Sequence, residues 1–95
     1  MSRRTEVVTE ILVERRRQVE KEGWSESHDD AHGEGQLAEA AAAYASRRNL
    51  DWPWAPGWDK RRKHSRRRRL VIAAALLVAE IERLDRAAEA AGKEK

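Results

Sequence analysis

Two kinds of side chain meet in the middle of this 95-residue chain: Trp52, Trp54 and Trp58 run directly into Lys60, Arg61, Arg62 and Lys63, then Arg66 to Arg69. Indole faces stack on flat rings and guanidinium forks match phosphate oxygens, so the mixture points to a ligand that is aromatic at one end and anionic at the other. Ser65 reads as an N-cap, which sets Arg66 to Arg69 in the opening turn of a helix, where the macrodipole is already positive and free N–H groups point outward. Each cation there costs some tenths of a kcal/mol unless an anion arrives, and a phosphate would meet both the guanidinium groups and the helix N–H groups. The plainer alternatives are a basic face paired with the chain's own acids, and indoles that cover a thin core in a protein with no phenylalanine. Trp54 is the indole expected to be core.

A second constellation is Trp24 with His28, Asp29, Asp30 and His32. Imidazoles and carboxylates this dense suit polar contacts to a base or sugar, or a divalent metal, but histidines four apart in a loop lack the fixed geometry of a helical pair. An Asp-capped turn with exposed histidines is the alternative, and no metal site is expected. The candidate ligand-binding residues are therefore Trp24, His28, Asp29, Asp30, His32, Trp52, Trp58, Lys60, Arg61, Arg62, Arg66 and Arg67. A third group is scattered: Glu14, Glu39 and Glu80 could converge on Mg²⁺, with Asp85 in an ExxD pair with Glu82, or Glu80 could simply pair with Arg15.

The elements that must position these residues are helical. Val7, Val8, Ile11, Leu12 and Val19 form a stripe that predicts a first helix over 5–22, closed by Gly23, with Glu14 and Gln18 along the edge of its core face. A polar loop from Trp24 to Gly35 follows, in which Asp29 or Asp30 can start a short turn. The second helix, 34–48, is rich in alanine, with Leu37, Ala41 and Tyr44 as its heavier edge. Pro53, Pro56 and Gly57 exclude regular helix from the connection over 49–64. The third helix, 65–90, ends before Gly92 and is apolar on nearly every side, as for a helix between its own bundle and a second subunit. The expectation is an all-α three-helix bundle, one domain over 1–95, oligomeric, with its last four residues frayed.

Composition narrows the function classes. Without cysteine there are no disulfides, thiolate metal sites or thiol nucleophiles, which suits a cytoplasmic protein. The longest apolar run, Leu70 to Ala79, is about half of the ~20 residues a membrane span needs, and no signal peptide is visible, so no membrane partner is expected. The net charge of +3 hides a polarised layout. Residues 60–69 carry eight Lys/Arg and no acid, whereas 20–39 carry seven acids against Lys21 alone. That asymmetry calls for an anionic partner or for the two segments to meet.

The blocks ERRRQVEKEGWSESHDDAH (Glu14 to His32), GQLAEAAAAYA (Gly35 to Ala45), WPW (Trp52 to Trp54) and RRRRLVIAAALLVAEIERLDR (Arg66 to Arg86) resemble a group of small phage and prophage proteins. The resemblance spans nearly the whole chain and implies phage origin, with a host cytoplasm as the setting. Gln36 departs from the glutamate expected there, which weakens any scheme placing that carboxylate on a metal. More remotely, the chain is similar to MazG-like all-α nucleotide pyrophosphatases, which hold Mg²⁺ with ExxE and ExxD pairs. Here the ExxE partner is missing from the second helix and Glu82/Asp85 is the only candidate pair.

Three functions follow in order of preference. The first is a non-catalytic binder, a sponge that sequesters a phosphorylated nucleotide, cyclic or ADP-ribose-like, to counter host defence. Arg66, Arg67 and Lys60 to Arg62 would then hold phosphates while Trp52 or Trp58 stacks a base. The second is an interaction module for a host defence protein or RNA. The third is a Mg²⁺-dependent pyrophosphatase using Glu14, Glu39, Glu80 and Asp85; only this reading calls for a cofactor.

Overall fold

The computed structural model describes residues 2–93, and among them it is all-α, with no strand. Four α-helices replace the expected three: α1 (Arg3–Lys21), α2 (Glu26–Asp30), α3 (Gln36–Ala45) and α4 (Arg66–Lys93), with 3-10 turns at Pro56–Trp58 and Arg61–Lys63. The added element, α2, starts where Ser25 accepts a hydrogen bond from the His28 N–H at 3.3 Å. Asp29 and Asp30 therefore end a helix rather than start a turn.

Local chemistry sets the other boundaries. Ser2 caps α1 by accepting from the Thr5 N–H at 3.1 Å, two residues earlier than expected, and Gly23 leaves the helix at φ +74°. Gly35, at φ +93°, leads into α3, which stops at Ala45 because Ser46 is extended, short of the predicted Arg48. Ser65 caps α4 as expected, its hydroxyl accepting from the Arg68 N–H at 3.2 Å. The helix then runs through Gly92 rather than ending at Ala90. Of the tail expected to fray, Gly92 and Lys93 are helical, and residues 94–95 lie outside the described residues.

α4 is the hub, with α1, α2 and α3 each packed on it. The core forms where Leu37, Ala41 and Tyr44 of α3 meet Ile72, Leu76 and Ala79 of α4, as the heavier edge of α3 predicted. Small residues at Ala40, Ala73 and Ala79 let the two backbones approach closely. Trp24 closes one end, and Trp52 and Trp54 pack against the rim.

The first helix departs from expectation. Its buried residues are Glu14 and Gln18, 1% and 0% exposed, whereas Val8, Leu12 and Val19 of the predicted core stripe stand exposed. Glu14 accepts from Arg17 at 2.8 and 3.0 Å, from Gln18 at 3.1 Å, and from Arg68 of α4. Gln18 also donates to the Ile72 carbonyl at 3.4 Å. A buried carboxylate tolerates this position because two guanidinium groups and an amide replace its water. No helix among the described residues is long and apolar enough to cross a membrane.

Candidate functional site

Two of the four arginines at the head of α4 find anions within the chain, and the other two find backbone carbonyls. Arg67 makes a two-pronged bond to Glu10 at 2.8 and 2.9 Å, Arg68 reaches Glu14, and Arg66 bonds the Ala45 carbonyl at the end of α3. Arg69 donates to the Arg61 carbonyl at 2.9 Å. A cation at the carboxyl end of α3 is favourable for the same dipole reason that makes it unfavourable at the amino end of α4. The helix-start charge is thus met in part within the chain, and Arg66 and Arg67 act as struts. Their partners are mostly not the acids of 20–39; only Glu22 meets the basic segment, accepting from Lys60 at 2.9 and 3.1 Å. Burial opposes ionisation of Glu22, but the bonds from Lys60 and Arg17 outweigh it and hold its carboxyl below the ordinary value.

Arg61 organises the connection between α3 and α4. It is 6% exposed, pairs with both oxygens of Asp59 at 2.9 and 2.7 Å, donates to the Leu50 carbonyl at 2.8 Å, and lies 5.5 Å over the Trp52 ring. The hydrogen bonds from Arg61 hold the Asp59 carboxyl below its usual value. Every guanidinium nitrogen of Arg61 is committed to the fold, so it shapes the site more than it offers donors to it. Arg62 beside it is exposed.

Two hollows flank this connection. One, about 530 Å³, is polar, and Arg61, Arg62, Arg69, Asp51, Asp59 and Trp52 contribute to its walls. The other, about 300 Å³, is aromatic, bounded by Trp24, His28, His32, Trp54 and Trp58 with Ala55. Trp52 belongs to the first and Trp54 to the second, and their rings meet edge-on at 5.4 Å. Trp54 was expected to be core; it packs on the core and lines the aromatic hollow as well. Sequence reading missed Trp54, Arg69, Asp51 and Asp59 as wall residues. Spacing alone could not have divided Trp52 from Trp54, since side chains two apart in extended backbone share a face; the chain bends at Pro53 and Trp54.

The histidines are held in definite orientations. His28 lies nearly parallel to Trp24, 12° apart with centroids at 6.0 Å, and its Nδ1 is 3.0 Å from Asp29 Oδ1. His32 Nδ1 donates to the His28 carbonyl at 2.7 Å, and the two imidazoles are 4.5 Å apart. With both Nδ1 atoms engaged, each neutral ring keeps Nε2 as an acceptor. Asp29 is fully buried and bound to Arg15 at 2.6 Å, and Asp30 is bound to Arg86 at 2.9 Å. Both carboxylates hold helices together, Asp29 from within the core and Asp30 from a half-exposed position. The indole N–H groups of Trp24, Trp52 and Trp54 are buried with no acceptor among the described residues. An unmet buried donor costs roughly 1–3 kcal/mol, so these three are the unsatisfied feature of the region.

The scattered carboxylates do not converge. Glu14 serves Arg17 and Arg68, Glu80 pairs with Arg83 rather than Arg15, and Arg15 bonds Asp29 and Glu82. Glu39 and Asp85 are exposed. No three His, Cys, Asp or Glu side chains among the described residues are grouped to hold a metal ion. Burial, with Asp59 and Glu22 adding to it, pushes the Tyr44 phenol up to about 12, so it stays neutral beside Trp52. In comparison with known proteins, the chain matches no protein-family model, no curated protein and no solved structure.

Proposed function

We propose that this chain is a phage-type, non-catalytic binder of a phosphorylated nucleotide, serving to sequester a signalling molecule of that class. The observation that carries the reading is a pair of hollows, one lined by Trp52 and the other by Trp54, whose rings touch edge-on: an aromatic one suited to a base and a polar one with arginines suited to phosphate. Trp58, half exposed at 51%, is free to stack on a base entering beside His28 and His32. Their Nε2 acceptors suit an exocyclic amine. Arg62, with the remaining donors of Arg69, supplies the phosphate contact. Arg66 and Arg67 take a lesser part than their position first implies, because Ala45 and Glu10 already hold them. The absence of a catalytic step is supported by the commitment of Glu14 and Glu80 to arginines.

The test is titration calorimetry against linear, cyclic and ADP-ribose-like nucleotides, followed by mass spectrometry of the recovered ligand. The expected result is binding with return of the ligand unaltered, weakened roughly ten- to a hundredfold by Trp58→Ala, the size of a lost base stack. Failure of every nucleotide to bind would remove the proposal. Binding of RNA that falls steeply with salt, without competition from nucleotides, would favour the interaction-module reading instead.

A further inference from the structure

The long helix α4 has two apolar sides, and the fold covers only one. Ile72, Ala75, Leu76 and Ala79 are buried, whereas Leu70, Leu77, Ile81 and Leu84 are 43%, 47%, 58% and 52% exposed. At 100° per residue these four fall within about 60° of arc, and Leu70, Leu77 and Leu84 repeat every seven residues, the spacing of a helix-pairing seam. Beyond Ala79 no apolar side chain of α4 is buried among the described residues, yet the helix continues to Lys93. A stretch of that length is marginal as an isolated helix in water, and Ile81 and Leu84 make this one apolar on its open side.

The surface of the whole chain agrees. A compact protein of 10.9 kDa exposes about 5,600 Å², and this one exposes 6706 Å². The excess, roughly 1,100 Å², is the order of what one partner buries in a stable complex, about 800 Å². The radius of gyration is 14.2 Å against about 12.4 Å for a compact chain of this length.

We propose that α4 pairs antiparallel with α4 of a second copy of this chain, about a two-fold axis at Leu77. Leu70 and Leu84 stand seven residues before and seven after Leu77, so that axis lays Leu77 on its own counterpart and Leu70 on Leu84 of the other copy. A two-fold interface requires this self-complementarity. Charge selects the direction. The first turn of α4 is basic and its last turns carry Asp85 and Glu89, which have no ion-pair partner among the described residues. Antiparallel pairing brings Arg67, whose side chain is 64% exposed even with Glu10 bound, between Asp85 and Glu89 of the other copy. Parallel pairing would stack Arg66 to Arg69 on the same residues and is disfavoured by their repulsion. The seam involves no residue of the aromatic hollow and does not depend on the nucleotide reading.

Because the chain has no cysteine, single cysteines report the register cleanly. Under mild oxidation Leu77→Cys is expected to cross-link to itself. Leu70→Cys and Leu84→Cys should cross-link when mixed but not separately. Sedimentation equilibrium of the unaltered chain is expected to give twice the 10.9 kDa of one chain. Leu77→Glu, with helicity checked by circular dichroism, should weaken association by about a hundredfold or more, since it opposes two carboxylates on the axis. A monomeric chain would overturn the proposal. So would a dimer that cross-links through Leu12→Cys on the exposed stripe of α1 and not through Leu77→Cys.

Discussion

Where α3 meets α4 the contact is built of Leu37, Leu76 and alanines; where α1 meets the same helix it is built of Glu14, Gln18 and Arg68. The first contact is non-directional, drawing its energy from apolar area removed from water and from close packing. The second is directional. It assigns one oxygen of Glu14 to Arg17 and Arg68 and the other to Arg17 and Gln18, and so fixes how far along α4 the first helix can sit. The difference teaches that burial and hydrophobicity are separate properties here. α1 gives Val8, Leu12 and Val19 to the outside and buries Glu14 and Gln18 against the protein.

The sharpest way to break this comparison is Glu14→Ala, which leaves the guanidinium groups of Arg17 and Arg68 facing a buried gap. Denaturant unfolding should show a loss of about 3–5 kcal/mol, the size seen when one partner of a buried ion pair is removed. A value below ~1 kcal/mol would mean that water replaces the carboxylate and the contact is not buried in solution. On the apolar side, Leu37→Ala is expected to cost about 2–5 kcal/mol through lost burial and a cavity. The two losses should add, because they act on different flanks of α4. Next comes Arg61→Lys, which keeps the charge but drops the fork that grips Asp59 and Leu50. It is expected to cost roughly 1–3 kcal/mol and to raise hydrogen exchange first over the connection between α3 and α4.

Acidification should weaken the charged contacts in two stages. Burial, and then the nearby charge of Arg68, hold the His64 imidazole below its ordinary value. The unfolded chain therefore binds the proton first, and stability begins to fall as pH drops below about 6.5. Asp59 and Glu22 have lowered values, so the stability they contribute is complete above the ordinary carboxylate range and disappears as pH falls through those lowered values. Denaturation midpoints followed against pH should show both slopes, and Asp59→Asn should flatten the lower one. The smallest effect is expected from Arg67→Ala made in the Leu77→Glu background, where no second copy contributes: its pair with Glu10 lies at the surface, and a shift in midpoint outside scatter would contradict that placement.

These contrasts also mark what could be read beforehand. Gly23 and Ser65 announced helix boundaries because φ sign and capping are local properties, and Leu37, Ala41 and Tyr44 announced the core edge of α3 because nothing polar competes for that face. Periodicity grouped Val7, Val8, Ile11, Leu12 and Val19 on one stripe, of which only Val7 and Ile11 are half-buried, because period says nothing of which body a stripe faces. Glu14 was legible as lying near the core edge, since it continues the Val7–Ile11 line. Its burial depended on Arg68, which is 54 residues away. The same long reach hid the role of Arg67, whose anion Glu10 is 57 residues distant. The aromatic and basic residues of the candidate site were visible by type, but their division into two hollows rests on Arg61 tethering the loop.

That tether has a thermodynamic consequence. By joining Leu50 to Asp59 through one guanidinium group, with Arg69 fastening the Arg61 carbonyl, the chain turns a long span into short closed circuits. The entropy of ordering the span is lost during folding, so on the proposed reading a guest would meet walls already set at Arg61 and Trp52, with only exposed side chains such as Trp58 and Arg62 left to order on arrival.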